Sequence, residues 1–388
     1  MTKPPASTTW QGESNRNSDE EVGFQARHND AETGVRVIRM TCLPWVSTHI
    51  YPEAPVHTPD GRRFVIRRTN PFTGEGHYWV GDMERRQVRQ ITDEPGAVAP
   101  MVMPDGSAYI YSVGRQMWRM DPDTFERELW WDVPLDVGTI GGATTISHCG
   151  TRVLCPWRQP PDRFGLAALD LAHQSARVAF EHPDCRNPHG QYCRGPHYRI
   201  MVQVNDGIEH DAHGNVIRLI GDHGASLHVA NDDGSDPVKL NVGSQPLQRV
   251  QGHQCWLGGE MRAITSTHRR DAVGRPWQQD QIIAIAPGDP EGQVVAQGEM
   301  FCHMHTTKDG RFWISDCNQT AQIFIGSVRT GRYKLIVNSG SSFGSHQATH
   351  PHPFFLGDDR SIGWNSDVSG IPQVYVAPIP DGFVDDLD

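Results

Sequence analysis

Met103-Pro104-Asp105-Gly106 leads directly into Ser107-Ala108-Tyr109-Ile110-Tyr111-Ser112. Proline and an aspartate-glycine pair favour a β-turn, and the aromatic and branched residues that follow favour a strand. This pattern of a turn followed by a strand recurs seven times, mostly at intervals of about 45 to 50 residues. The seven turns begin at or near Thr58, Met103, Ser147, Pro196, Leu257, Lys308 and Leu356.

A second strand follows several of these units and ends at another turn, as at His77-Tyr78-Trp79-Val80 and Gln116-Met117-Trp118-Arg119-Met120. A period of 40–50 residues with several strands per unit is typical of a β-propeller blade. The sequence therefore predicts an all-β fold with seven blades. The alternative is a pair of β-sandwiches in which the turns recur by chance. The longest interval, between the fourth and fifth units, contains a polar insertion at residues 205–217, which we expect to widen a loop.

Composition agrees with many short strands. Only 37% of the 388 residues are hydrophobic, while 39 are glycine and 28 are proline. We expect residues 1–25 to form a disordered polar leader and residues 26–388 to form one propeller domain. No apolar run reaches the roughly 18 residues that a membrane helix needs. The eight cysteines include no Cys-x-x-Cys pair, so we expect free thiols and a cytoplasmic location. A net charge of −11 argues against nucleic-acid binding and means that an acidic substrate needs a locally positive pocket.

Gln347-Ala348-Thr349-His350-Pro351-His352 is the segment most indicative of chemistry. In an extended segment, side chains two residues apart point to the same side, so His350 and His352 are expected to face one point. Pro351 stiffens that geometry, since it fixes its own φ and favours an extended His350. Two imidazoles and an amide oxygen suit a divalent metal. The alternative is a surface loop whose histidines act separately.

Histidines also precede the turns of other predicted blades, where an inner strand would run. They are His49 in blade one, His189 in blade four, His253 in blade five, and His303 and His305 in blade six. Inner strands converge on the central channel of a propeller, so residues distant in sequence can meet at one of its mouths. We therefore predict one histidine-rich site there.

His350-Pro351-His352-Pro353-Phe354-Phe355, followed by Ser366-Asp367-Val368-Ser369-Gly370-Ile371-Pro372, resembles the last blade of the oligogalacturonate lyases. Cys302-His303 before the blade-six turn, and His253 three residues before Trp256, are similar to motifs of that family in the same order. The resemblance extends from about Val37 to the end of the chain and is densest in blades five to seven.

The resemblance implies a cytoplasmic seven-bladed propeller that uses manganese, or another divalent metal, to cleave short oligogalacturonides or related uronate oligosaccharides during pectin degradation. It implies metal ligands at His303, Gln347, His350 and His352, with His303 favoured over His305 by its spacing to Gly310. It implies a general base at His253. We expect His49, His189, Gln191 and Asn205 to contact the acidic oligosaccharide.

Two features depart from the family pattern. Ser226 stands where the family has an arginine, and Val204-Asn205-Asp206-Gly207 replaces a Cys-His-Glu-Gly motif. These departures leave the exact substrate open. The reaction expected from the resemblance is β-elimination, which leaves 4,5-unsaturated uronate ends. The alternatives are a non-catalytic TolB-like scaffold and a metal-dependent hydrolase acting on a related sugar acid. A hydrolase would use a carboxylate pair, for which Glu53 and Asp367 are candidates. The oligomeric state stays open.

Overall fold

The computed structural model describes residues 25–159, 163–211, 216–219, 224–242, 248–269 and 281–388. These residues form seven antiparallel sheets of four or five strands and one two-stranded hairpin. The predicted seven-bladed β-propeller is confirmed. The helical segments among the described residues are two short 3-10 turns, Leu135–Val137 and Gln347–Thr349. The predicted leader falls on residues 1–25, of which 1–24 lie outside the described residues.

The strands up to the end of the third blade are β1 (Gln25–Asn29), β2 (Arg36–Arg39), β3 (Val46–His49), β4 (Arg63–Thr69), β5 (Gly76–Asp82), β6 (Gln87–Gln90), β7 (Ala97–Val102), β8 (Tyr109–Val113), β9 (Gln116–Met120), β10 (Arg127–Asp132), β11 (Thr139–Ile140), β12 (Thr145–Ile146), β13 (Arg152–Gln159), β14 (Arg163–Asp170) and β15 (Ser175–Glu181). The later strands are β16 (Gln191–Tyr192), β17 (Arg199–Val204), β18 (Glu209–His210), β19 (Val216–Arg218), β20 (Ser226–Asn231), β21 (Val238–Lys239), β22 (Gln248–Trp256), β23 (Ala263–Arg269), β24 (Gln281–Ile285), β25 (Gln293–Gln297), β26 (Phe301–Thr306), β27 (Phe312–Cys317), β28 (Gln322–Ser327), β29 (Tyr333–Asn338), β30 (Phe354–Phe355), β31 (Ser361–Ser366) and β32 (Gln373–Pro378).

Six blades use strands that are close in sequence. Blades one, two and three consist of β3–β6, β7–β10 and β11–β15, and blades five and six consist of β22–β25 and β26–β29. Blade four pairs β16, β17, β20 and β21, with the β18–β19 hairpin inserted between its second and third strands. The polar insertion expected to widen a loop therefore includes one strand of this hairpin and part of the other, and residues 212–215 within it lie outside the described residues.

Blade seven joins the two ends of the described chain. Its strands β30, β31 and β32 continue into β2 and β1, with Ile38 opposite Val376 and Arg39 opposite Tyr375. Because the N-terminal strands complete the last blade, the ring is closed by backbone hydrogen bonds.

The apolar cores lie between neighbouring blades. Trp313 of blade six packs in a cluster with Cys255 of blade five, and Trp364 of blade seven packs with Ile314 of blade six. Both indole rings are almost completely buried. The two faces of each sheet are therefore covered by adjacent blades, and this packing holds the inner strands in a ring. Among the described residues, no helix has the length and apolar character required to cross a membrane.

Candidate metal centre

Two histidines of the inner strands lie in β-bulges. In blade six, Phe301 pairs with Cys317 and Met304 with Ser315, so Cys302 and His303 together oppose the single residue Asp316. In blade five, Val250 pairs with Thr267 and Gln254 with Thr265, which places His253 in a similar irregularity. A bulge interrupts the ladder and redirects the side chains of the extra residues. These bulges release His303 and His253 from the regular alternation of their strands.

The side chain of Gln203 in blade four lies close to the backbone of the blade-five bulge at Gly252. Its φ is +91°, a conformation that favours glycine. A Cβ at this position would lie 2.6 Å from Oε1 of Gln203 in blade four. Glycine is therefore required immediately before His253.

Asp316 fixes the ring of His303. Its Oδ1 accepts the backbone N–H of His303 at 2.8 Å, and its Oδ2 lies 2.9 Å from His303 Nδ1. Asp316 Oδ2 also accepts the backbone N–H of His352 at 3.2 Å, so one carboxylate ties blade six to blade seven. Since the ring donates its Nδ1–H to this carboxylate, the lone pair of His303 is on Nε2. This arrangement matches the carboxylate–histidine pairs that orient metal ligands.

His303, His350 and His352 form what we call the histidine cluster. Each offers one ring nitrogen, and these three nitrogens lie within 4.8 Å of one another. The ring centroids of His303 and His352 are 3.9 Å apart, and that of His350 is 5.7 Å from His303. The structure thus brings together the three imidazoles that the sequence analysis assigned to the metal.

The cluster has unused lone pairs. His352 Nε2 and His350 Nδ1 are buried and have no hydrogen-bond partner among the described residues. His350 Nε2 donates to the carbonyl oxygen of Gly344 at 2.8 Å, which leaves Nδ1 as the acceptor nitrogen. Burial lowers the pKa of His350 and lowers that of His352 well below its usual range, since it disfavours the charged ring. Neutral imidazoles with free lone pairs are what a divalent metal requires, so the residues fit a metal ion.

The geometry of the Gln347–His352 segment differs from the extended strand expected. Gln347 begins the 3-10 turn Gln347–Thr349, and His350 ends it in an extended conformation. His352 adopts a φ of +46°, in the left-handed region. The two histidines therefore converge through a turn and a left-handed residue rather than through regular alternation. The side chain of Gln347, the predicted amide ligand, is exposed.

His253 lies beside the histidine cluster. Its ring centroid is 4.2 Å from that of His303, and its Nδ1 is 3.4 Å from Cys302 Sγ. Burial, followed by the neighbouring ring of His303, lowers the pKa of His253 well below its ordinary value. His253, Cys302 and His303 also offer ligand atoms within 4.8 Å of one another. In this second set, the Cys302 thiol already contacts His253, whereas the histidine cluster presents unpartnered nitrogens.

Tyr51, Glu53 and His189 extend the site across the channel to blades one and four. The ring of Tyr51 lies 5.0 Å from His352 and 5.3 Å from His189. Both carboxylate oxygens of Glu53 lie 3.2 Å from His189 Nδ1. Burial would lower the pKa of His189, but the Glu53 carboxylate raises it above the ordinary value. Glu53 therefore favours a protonated His189 near the cluster.

The other residues expected to contact substrate have structural partners. His49 is buried against Phe354, with ring centroids 4.8 Å apart, and its ring lies 6.0 Å from His352. Gln191 Nε2 donates to the carbonyl oxygen of Gln254 at 2.9 Å and so links blades four and five. Asn205 is buried at the end of β17, where its Oδ1 accepts from Gln203 Nε2 at 3.4 Å.

His305 has surroundings different from those of His303. Its Nδ1 accepts the backbone N–H of Phe355 at 3.2 Å, and its ring lies 6.4 Å from His57. The blade-six bulge changes the alternation between Phe301 and Met304, which separates the directions of the two imidazoles.

Sequence reasoning missed Asp316, Tyr51 and Phe343 as neighbours of the site. The ring of Phe343 stacks on His350 with centroids 4.3 Å apart. The sequence could have indicated Asp316, because it is an acidic residue in a strand, Phe312–Cys317, whose other residues are apolar or small. Tyr51 and Phe343 lie outside the regular strands, and their positions depend on tertiary packing.

The comparisons with known proteins agree with the fold and the motifs. No protein-family model matches the chain. An oligogalacturonate lyase from Dickeya dadantii is 22% identical over 397 residues, which cover 91% of this chain and 96% of the relative. An oligogalacturonide lyase from Pectobacterium atrosepticum matches with the same identity and coverage. A solved oligogalacturonate lyase in complex with manganese superposes with a TM-score of 0.74 at 18% identity, over 94% of this chain and 99% of that one. The resemblance predicted from the motifs is confirmed.

Proposed function

We propose that this protein, which resembles the oligogalacturonate lyases over nine-tenths of its length, is a metal-dependent lyase. It cleaves short oligogalacturonides, or related uronate oligosaccharides, by β-elimination. The observation that carries the proposal is the histidine cluster, three imidazoles from two blades whose ligand nitrogens lie within 4.8 Å of one another. A further histidine, His253 of blade five, lies directly beside the histidine cluster.

The residues that would hold the metal are His303 through Nε2, His350 through Nδ1 and His352 through Nε2. Gln347 is the proposed fourth ligand. Three imidazoles and an amide are uncharged, so a divalent ion such as Mn²⁺ would retain its full charge and offset the carboxylate of the bound uronate. This local positive charge answers the difficulty that a protein of net charge −11 binds an acidic substrate.

The proposed role of His253 is to remove the C5 proton of the uronate. Its Nδ1 contacts Cys302 Sγ at 3.4 Å, so Nε2 is the nitrogen that accepts the proton. The lowered pKa keeps the ring neutral at pH 7, which a general base requires. Departure of O4 then leaves a 4,5-unsaturated uronate. We further propose that His189, charged by its contact with Glu53, orients the acidic oligosaccharide.

The hydrolase alternative is disfavoured by the positions of its two candidate carboxylates. Glu53 contacts His189, whereas Asp367 accepts from the backbone N–H of Ser342 at 2.8 Å and from its hydroxyl group at 2.6 Å. Each carboxylate therefore has a different local partner, and neither is placed as the acid–base pair that hydrolysis requires. A non-catalytic scaffold gives no reason for the unpartnered nitrogens of His350 and His352.

We also propose a reducing compartment, the cytoplasm, for this protein. None of the eight cysteines, all of which lie among the described residues, forms a disulfide, and six of them are buried. Short oligogalacturonides that reach this compartment would be the acidic partner of the site.

The experiment that tests the proposal uses purified protein, Mn²⁺ and oligogalacturonides, and follows the ultraviolet absorbance of unsaturated uronates. We expect the absorbance to rise, and we expect His253→Ala to lower kcat by roughly 10²- to 10⁴-fold, the usual contribution of a general base. His173→Ala is the matched control, because the His173 side chain is 79% exposed. A kcat in His253→Ala within ten-fold of the wild type, or normal turnover in fully chelated protein, would refute the proposal.

A further inference from the structure

A second cavity lies at the other end of the inner strands, and the proposed reaction does not use it. Its volume is about 330 Å³, and it is bordered by the turns that follow the inner strands of several blades, including Pro59, Lys308 and Asp359. We call this space the turn-side cavity. It is separate from the histidine cluster.

Two cationic side chains line the turn-side cavity. The guanidinium group of Arg194 makes only long contacts, from Nη1 to the carbonyl oxygen and Oγ1 of Thr306 at 3.4 and 3.5 Å. Within the part of the chain that the structure describes, no carboxylate lies within ion-pair distance of it. Lys308 Nζ donates to the carbonyl oxygen of Pro59 at 2.8 Å and retains two further N–H groups. A partly buried guanidinium without an anionic partner is costly unless a ligand supplies the anion.

The carboxylates of the same cavity already have partners. Glu53 contacts His189 across the channel, and Asp359 Oδ2 accepts the backbone N–H of Lys308 at 2.9 Å. Neither is within ion-pair distance of Arg194, although the charge of Arg194 acts on both at longer range. The positive charge of the guanidinium remains available to a ligand in the cavity.

Three imidazoles add hydrogen-bonding groups to the wall. His305 Nδ1 accepts from the backbone of Phe355, so its proton is on Nε2, which is a donor. His57 Nδ1 and His148 Nδ1 are buried without a hydrogen-bond partner. Burial and the charges of Arg194 and Lys308 lower the pKa of His57 to about 4, so it is neutral at pH 7. Both of those Nδ1 atoms lie too deep to meet a ligand in the cavity, so the Nε2–H of His305 is the imidazole group suited to a hydroxyl group rather than to a second charge.

Apolar side chains form another part of the wall, among them Val102, Ile146 and Phe355. Cavities of this size with an apolar wall and few polar groups are typical of sites for small organic molecules. Inorganic phosphate has no apolar surface to place there. The occupant that fits is therefore an organic body with a single acidic group.

We propose that the turn-side cavity is a second binding site, which holds a small hydroxylated carboxylate about the size of one sugar acid. The carboxylate is bound by the planar guanidinium of Arg194, with Lys308 at the rim. The apolar wall contacts the carbon skeleton, and the Nε2–H of His305 donates to a hydroxyl group. None of the residues named for this site belongs to the histidine cluster, although Glu53, which contacts the proposed substrate-orienting His189, borders the same cavity.

The test measures the binding of D-galacturonate by calorimetry, with D-galactose as the neutral probe and inorganic phosphate as the competing anion. The background is the full chain with His352→Ala in the presence of a chelator, which removes any contribution from a metal at the histidine cluster. We expect galacturonate to bind, galactose to bind at least about ten-fold more weakly, and phosphate not to displace galacturonate.

Arg194→Gln should weaken galacturonate binding by about ten-fold or more, the usual value of a hydrogen bond to a charged group. Arg36→Gln is the matched control, because Arg36 is exposed on β2. If Arg194→Gln does not fold, as judged by its melting curve, Lys308→Gln at the exposed rim replaces it and should weaken binding by a smaller factor. Equal affinity in the arginine variants, no binding of galacturonate, or equal binding of galactose or phosphate would overturn the proposal.

Discussion

At the scale of single residues, the choice between His303 and His305 shows what sequence reasoning achieves. Regular alternation places residues i and i+2 on the same face of a strand, so alternation alone did not separate the two imidazoles, and only the spacing to Gly310 favoured His303. The bulge opposite Asp316 separates them, and His303 alone joins the histidine cluster. Bulges depend on pairing with another strand, which a single stretch of sequence does not reveal.

Asp316→Asn is expected to weaken Mn²⁺ binding by about 10- to 100-fold, the usual effect of removing a carboxylate behind a histidine ligand. The amide group of the variant keeps the shape of the side chain but has only one acceptor oxygen. If that oxygen keeps the backbone N–H of His303, the amide NH₂ takes the place of Oδ2, 2.9 Å from Nδ1, where it donates to the ring instead of accepting from it. His303 is then free to place its proton on Nε2, where the metal would bind. Calorimetric titration with Mn²⁺ measures the change.

The control for that titration is Asp105→Asn, which changes the same type of side chain in an exposed turn of blade two. Its Mn²⁺ affinity should equal that of the wild type. An unchanged affinity in Asp316→Asn, with both proteins folded, would mean that the carboxylate only supports the strand pairing.

At the scale of elements, the turns were predictable and the ring closure was not. An Asp-Gly or similar turn before a strand is a local signal, and each of the seven marks the end of an inner strand. The pairing of β2 with β32 joins residues that are more than 300 positions apart. Neither strand has a sequence feature that specifies its partner, so this closure emerges only from the complete ring.

Asp30 fastens the closing strands to blade six. Its Oδ1 accepts the backbone N–H of Thr33 at 2.9 Å, and its Oδ2 accepts that of Asn338 at 2.8 Å. Asp121 makes the same kind of turn through the N–H of Thr124 but contacts no neighbouring blade. We expect Asp30→Ala to reduce the free energy of unfolding by about 1–3 kcal/mol more than Asp121→Ala, because it leaves the partly buried N–H of Asn338 without this partner. Urea unfolding of both variants gives the difference.

The effect of Asp30→Ala should depend on pH. Burial by itself raises the pKa of Asp30, but the N–H groups of Thr33 and Asn338 more than offset this, and the pKa lies below its ordinary value. The charged form therefore stabilises the fold above the unfolded pKa of about 3.9, and this contribution is lost as the pH falls through the folded value. The difference between wild type and Asp30→Ala should be full at pH 7 and shrink below about pH 4. A difference that stays constant down to pH 3 would argue against a charged contact.

At the scale of the whole molecule, the sequence repeat predicted the number of blades. The residues of the site, in contrast, meet only when the blades are arranged in a ring. Seven recurrences gave seven sheets because every blade requires a turn between its inner strand and the next. The ring then placed His303 of blade six next to His350 and His352 of blade seven, and Tyr51 of blade one against them. Tyr51 and Glu53 lie in a loop after β3, where no periodic pattern indicates which way a side chain points.

The histidine cluster spans two blades next to the ring closure, so metal binding should stabilise the whole propeller. A ligand at 100 times its Kd adds about 2.7 kcal/mol to the free energy of unfolding, which corresponds to a rise of a few degrees in Tm. We expect Mn²⁺ to raise the Tm of the wild type and of His173→Ala equally, and to leave that of His352→Ala unchanged. Differential scanning calorimetry with and without Mn²⁺ compares each variant with its own metal-free form, which removes any effect of the substitution itself. An equal rise in His352→Ala would place the stabilising ion elsewhere in the protein.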